Sequence, residues 1–117
     1  MINEFMEYLK ELEPLPEGIE LDIVLVNKKS LGVGEIGSEV LALFETRKGA
    51  TKATLTIATK GRSKQSTLCG LAHEYYHAVQ WFRDGLCVGL SDGLAEFIEY
   101  ESDAEGFGYR VSLGWVG

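Results

Sequence analysis

His73, Glu74 and His77 are the residues of this chain best suited to do chemistry, and they stand in the run His73-Glu74-Tyr75-Tyr76-His77. On a helix, residues four apart leave the same face one turn apart, so both imidazoles can grip one Zn²⁺ at about 2.0–2.1 Å. Glu74 lies beside them. It can reach a water activated by the ion and take its proton without itself filling the coordination sphere. The chain has 2 histidines, and both fall in this H-E-x-x-H pattern. A solvated His pair on an ordinary amphipathic helix is the plain alternative, and it leaves the adjacent Glu without a reason.

Two histidines do not complete a catalytic zinc site, which takes three protein ligands and an open position. No third histidine exists, and the sixth residue after His77 is Arg83, so the third ligand has to be a carboxylate or a cysteine. The last predicted helix carries Glu96, Glu99, Glu101, Asp103 and Glu105. If that helix and the histidine helix form an antiparallel hairpin, equal rise per residue mirrors His73 and His77 onto roughly residues 100–104. Glu99, Glu101 and Asp103 survive that test. Leu94, Phe97, Ile98, Ala104, Gly108 and Val111 are expected to form the inward stripe, and Glu101 lies on it. A carboxylate on an apolar face must be paired or metal-bound. Glu101 is therefore the favoured ligand, with Glu99 the alternative.

The elements that must position these residues follow from periodicity. Ile2, Phe5, Met6, Leu9 and Leu12 have helical spacing, and Pro14 and Pro16 end that helix. Glu20–Asn27, Glu39–Thr46 and Thr51–Thr59 read as strands; the last alternates cleanly and is expected half-buried or at a sheet edge. Lys28–Gly37 is a glycine-punctuated loop, and Arg47–Ala50 a turn. A long helix is expected over about Ser63–Asp84, its core stripe Leu68, Leu71, Ala72, Tyr75, Val79 and Phe82. After a loop over Gly85–Asp92, with Ser91 or Asp92 as N-cap, a last helix runs over about Gly93–Val111. The order α-β-β-β-α-α predicts an α+β fold: a small antiparallel sheet with helices on one face, in a single domain over 1–117.

A later-helix glutamate after H-E-x-x-H resembles the gluzincins, the thermolysin-like group. The run Glu101-Ser102-Asp103-Ala104-Glu105-Gly106-Phe107-Gly108 is also similar to the ligand helix of the ImmA/IrrE-like metallopeptidases of bacteria and phages, with Glu105 where Asn or Asp is usual. Glu99-Tyr100-Glu101-Ser102-Asp103 matches the thermolysin-like E-x-x-S-D, a register that makes Glu99 the ligand and has Asp103 steady an imidazole. The resemblance implies a minimal zincin: one Zn²⁺ per chain on His73, His77 and Glu101, Glu74 as general base, and a protein or peptide substrate paired with a sheet edge, the role assigned to Ala53–Thr59. A tyrosine is the remaining candidate to steady the oxyanion, with Tyr109 and Tyr100 nearest in sequence to Glu101. The competing expectation is a non-catalytic zinc-binding regulatory domain of bacterial or phage origin.

The net charge of −7 argues against electrostatic binding to nucleic acid or an anionic membrane. No stretch approaches a membrane span, and the acidic start Met1–Glu7 does not read as a secretory signal. Cys69 and Cys87 are too few for a disulfide framework, so a cytoplasmic protein with reduced thiols is expected. Cys69 lies four before His73, and a small buried helix residue is its plainest role. Gly32, Gly34 and Gly37 do not form a phosphate loop, because the Lys and Ser/Thr of that motif are missing.

Overall fold

The computed structural model describes residues 1–34, 37 and 39–116. Three helices pack on one face of a three-stranded sheet: α1 (Ile2–Leu12), β1 (Glu20–Val26), β2 (Ala42–Glu45), β3 (Lys52–Ala58), α2 (Lys64–Phe82) and α3 (Leu94–Gly114), with a single 3₁₀ turn at Leu90–Asp92 before α3. The α+β class and the element order agree with the sequence. Of the loop expected over Lys28–Gly37, Glu35 and Ile36 lie outside the described residues, as does Gly117.

The sheet departs from expectation in two ways. It is mixed, not antiparallel: β1 runs parallel to β3, while β2 runs antiparallel to β3. The strand order is β1-β3-β2, so the Ala53–Thr59 segment expected at an edge is central, and β2 is an edge. Alternation along β3 reports burial on one face, where Ala53, Leu55 and Ile57 enter the core. It carries no information about lateral neighbours, which is why a central strand covered on one side reads like an edge strand.

The edge strand turns part of its backbone away from the sheet. The Ala58 N–H donates to the Leu41 carbonyl at 2.9 Å, which makes 41–58 a hydrogen-bonded pair. By antiparallel alternation the main-chain groups of Ala42 and Phe44 point away from β3, toward the open side.

Beneath the sheet, Phe5 and Leu9 of α1, Leu55 and Ile57 of β3, Leu68, Leu71, Tyr75 and Val79 of α2, and Phe107 and Val111 of α3 form one core. Ser63 caps α2 by accepting the Ser66 N–H at 3.1 Å. The start of α3 differs from expectation: Gly93 holds the N-cap position without a side-chain bond, while Asp92 accepts the Gly89 N–H at 2.8 Å and closes its own turn. Leu94 and Ile98, expected inward, are 63% and 54% exposed. The buried residues of α3 begin at Ala104, because only its C-terminal half lies over the core.

Candidate metal centre

Tyr75 points into the core at full burial, so the flanking His73 and His77 leave α2 on another face, toward α3 and the β2 edge. Their ring centroids are 4.9 Å apart and their Nε2 atoms 3.2 Å apart. The antiparallel α3 brings Glu101 opposite both. Its Oε1 is 3.1 Å from His73 Nε2, and its Oε2 is 3.2 Å from His77 Nε2. A tetrahedron with metal–nitrogen bonds of about 2.0–2.1 Å has ligand atoms roughly 3.3 Å apart. The two Nε2 atoms have that spacing from each other, and each has it from one oxygen of Glu101, a different oxygen for each ring.

The far side of each ring decides what the near side offers. His73 Nδ1 is 2.9 Å from Glu105 Oε2, and an ionised carboxylate only accepts, so Nδ1 carries the proton. His77 Nδ1 is 2.8 Å from Gln80 Oε1. The Gln80 amide is oriented by its other end, where Nε2 donates to the Tyr100 carbonyl at 3.2 Å. Each ring thus turns Nε2 to the Glu101 carboxylate, as a lone pair when the ring is neutral and as an N–H donor when it is charged. Three electron-rich groups converging at hydrogen-bond distance require a cation between them, protons or a metal. The Tyr100 ring stacks on His77 with centroids 4.8 Å apart at 27°.

Glu74 stands beside this triangle. Its Oε2 is 3.8 Å from His73 Nε2, and ligand atoms of His73, Glu74 and His77 all lie within 4.8 Å of one another. Burial pushes the Glu74 carboxyl above the usual carboxylate range and the Glu101 charge adds to this, while both histidines and a hydrogen bond from the Phe44 backbone pull the other way. Burial also works against ionised Glu101, but hydrogen bonds and charge from His73 and His77 outweigh it and hold that carboxyl at about 2. Burial opposes a charged His73, yet Glu101, Glu74 and Glu105 together raise it above its ordinary value.

A cleft of about 770 Å³ opens on one side of the triangle, lined by Leu41, Ala42, Gly70, Tyr109 and Leu113 together with His73 and Glu74. A second hollow of about 540 Å³ lies on the other, lined by Phe44, Trp81, Cys87 and Tyr100 together with His77. Val40, Ala42, Glu74 and Glu101 border both, so the two cavities adjoin at the donor triangle beside β2.

Against protein-family models, curated proteins and solved structures the chain finds no match.

Of the sequence-predicted residues, the structure brings together His73, Glu74, His77 and Glu101. Glu99 and Asp103 are exposed and take no part in the triangle. Glu105, whose role the sequence left open, holds His73 Nδ1. Tyr109 lines the larger cleft, where the charge of Glu105 and a hydrogen bond to it push the phenol pKa up. Cys69 is half-buried in that cleft, and Cys87 is exposed beside the smaller hollow. Sequence reasoning missed Gln80. Its one signal was a polar residue inside the apolar run Ala78–Phe82, one turn after His77.

Proposed function

We propose that this chain is a zinc-dependent metallopeptidase of zincin type, resembling the ImmA/IrrE-like enzymes and holding one Zn²⁺ per chain on His73, His77 and Glu101. The observation that carries the reading is the donor triangle: two Nε2 atoms and a carboxylate within 3.1–3.2 Å of one another, their lone pairs convergent. A group of two histidines and one carboxylate, with a base alongside and a groove in front, suits a hydrolytic zinc site better than a structural one, which takes four protein ligands.

Bound zinc would supply a Lewis acid that makes water a nucleophile near neutral pH and polarises a carbonyl. The chain's own residues account for the rest. Glu74 is partly buried beside the triangle with its pKa raised, which suits a carboxylate that takes a proton from water and returns it to a leaving amine. The outward main-chain groups of Ala42 and the outward carbonyl of Phe44 suit an extended polypeptide lying along β2, while the Phe44 N–H is held by Glu74. Glu105 and Gln80 place an oxygen against the far nitrogen of each ring, the position from which a neighbour orients a ligating imidazole. Among the described residues no helix is long and apolar enough to cross a membrane. A cytoplasmic site of action remains part of the proposal.

The test is elemental analysis of the purified chain, followed by mass spectrometry of a peptide mixture incubated with wild type and with Glu74→Gln. The expected result is one zinc per chain in both proteins, with cleavage by the variant reduced about 10²–10⁴-fold. Zinc without cleavage in the wild type would replace this reading with the non-catalytic zinc-binding domain. Absence of zinc after reconstitution would overturn both.

A further inference from the structure

We propose that Gln80 is the positioning residue of the site, a latch that fixes the tautomer of His77 and ties the histidine helix to the backbone beside Glu101. The part of this that concerns zinc rests on the metal-centre reading above; the part that concerns the tautomer does not.

Gln80 is 3% exposed, a location where an amide must satisfy its hydrogen-bonding groups or cost stability. It uses both ends. Oε1 accepts from His77 Nδ1 at 2.8 Å, and Nε2 donates to the Tyr100 carbonyl at 3.2 Å. Tyr100 is the residue before Glu101, and its ring stacks on His77. One side chain thus links a histidine of α2 to the segment of α3 that carries the carboxylate.

The orientation is determined by chemistry. A carbonyl can only accept, so the amide nitrogen faces Tyr100 and the amide oxygen faces the ring. Two oxygens compete for the ring proton, Gln80 Oε1 at 2.8 Å from Nδ1 and Glu101 Oε2 at 3.2 Å from Nε2, and the shorter contact places it on Nδ1 and leaves Nε2 bare. Reversing the amide would present a donor to Nδ1, move the proton to Nε2 and point an N–H at the Glu101–His73 pair. A carboxylate at 80 would keep the acceptor for Nδ1 but set a buried negative group against the Tyr100 carbonyl. Glutamine alone among the acidic and amide side chains of this length satisfies both contacts. His73 has no such requirement: its Nδ1 partner, Glu105, has a side chain 50% exposed, where a carboxylate stays solvated.

Two variants separate the two contacts. Gln80→Leu removes both, and Gln80→Glu retains only the acceptor for the ring. The first measurement is the imidazole ¹⁵N spectrum of the metal-free full chain, followed to alkaline pH until the spectrum no longer changes. In the wild type His77 should show a protonated Nδ1 and a bare Nε2. Gln80→Leu should shift the proton toward Nε2, and Gln80→Glu should not. The second measurement is zinc affinity by competition with a chelator. A roughly 10–100-fold loss is expected for Gln80→Leu, in line with removal of a ligand-orienting partner, and a smaller loss for Gln80→Glu. A packing role alone would lower the melting temperature of Gln80→Leu while leaving the His77 ¹⁵N pattern unchanged, and would overturn the proposal. So would an Nε2–H tautomer in the wild type, which needs no variant to fold. If the tautomer behaves as expected and the wild type binds no zinc, the latch stands and the metal reading fails.

Discussion

Gly108 of α3 lies against the backbone of Cys69 in α2: a Cβ at 108 would stand 2.9 Å from the Cys69 carbonyl oxygen and 3.4 Å from the His73 nitrogen. This contact sets how closely the two helices approach, one turn from the histidine that Glu101 and Glu105 must reach. Alanine normally improves a helix interior by about 1 kcal/mol over glycine. At 108 the atom it meets is backbone, which cannot swing away, so overpacking of about 1–3 kcal/mol outweighs that gain. Gly106, two residues earlier, is open: a Cβ there would meet nothing within 4 Å. Gly108→Ala should therefore lower the melting temperature and weaken zinc binding, while Gly106→Ala raises the melting temperature slightly. Thermal melts of the two variants side by side check the opposite signs.

The carboxylates of α3 should differ sharply in their effect on metal binding. Glu101 contacts both Nε2 atoms, Glu105 contacts only the far nitrogen of His73, and Glu99 is exposed. Glu101→Ala is expected to abolish stoichiometric zinc. Glu105→Ala should retain zinc with an affinity roughly 10–100-fold lower, and Glu99→Ala should be indistinguishable from wild type. Elemental analysis with chelator titration measures all three. Loss of zinc on Glu99→Ala alone would move the ligand to the other register.

The local part of this architecture was legible in the residues. H-E-x-x-H fixes two rings on one helix face through geometry internal to that helix, and hairpin reflection carries the argument across to Glu101. The same argument failed for Leu94 and Ile98. Spacing tells which residues share a face, not how far along a helix its neighbour extends, and only the second half of α3 has the core beneath it. Strand order was not legible either. Pairing β1 with β3 across the intervening β2 is a nonlocal choice, and alternation in each strand is compatible with several lateral orders. Gln80 escaped notice because its two partners, a ring nitrogen and a carbonyl on another helix, exist only in three dimensions.

Tyr75 illustrates the other face of the motif. It lies between the two histidines in sequence, yet its ring is fully buried and its hydroxyl donates to the Glu13 carbonyl at 2.6 Å, just beyond α1. Arg83 also pairs with the Glu13 side chain. Tyr75→Phe keeps the ring and removes the hydrogen bond, so a stability loss of about 0.5–1.5 kcal/mol is expected. Zinc affinity should be unchanged, because the hydroxyl is on the core side. Denaturant titration gives the first quantity and chelator competition the second. A large loss of zinc would mean that the docking of α1 controls the site.

The titrating groups of the site give the metal-free chain a pH profile that zinc should invert. Glu101 is held at about 2, below its ordinary range, so its contribution is present above about 4.5 and is lost as the pH falls toward 2. His73 is raised, so its contribution is complete below about 6.5 and disappears as the pH rises through its folded value. Glu74 is raised as well, by burial first, so its contribution is complete below about 4.5 and is lost as the pH rises from there through its folded value. The metal-free chain should accordingly be most stable in mildly acidic solution, and its melting temperature should fall by a few degrees from about pH 6 to about pH 8. Zinc competes with protons for the same nitrogens, so the zinc-loaded chain should gain stability over that interval as the imidazoles deprotonate. Thermal melts across this range, with chelator and with excess zinc, distinguish the two slopes. Parallel slopes in the two series would mean that zinc does not bind through His73 and His77.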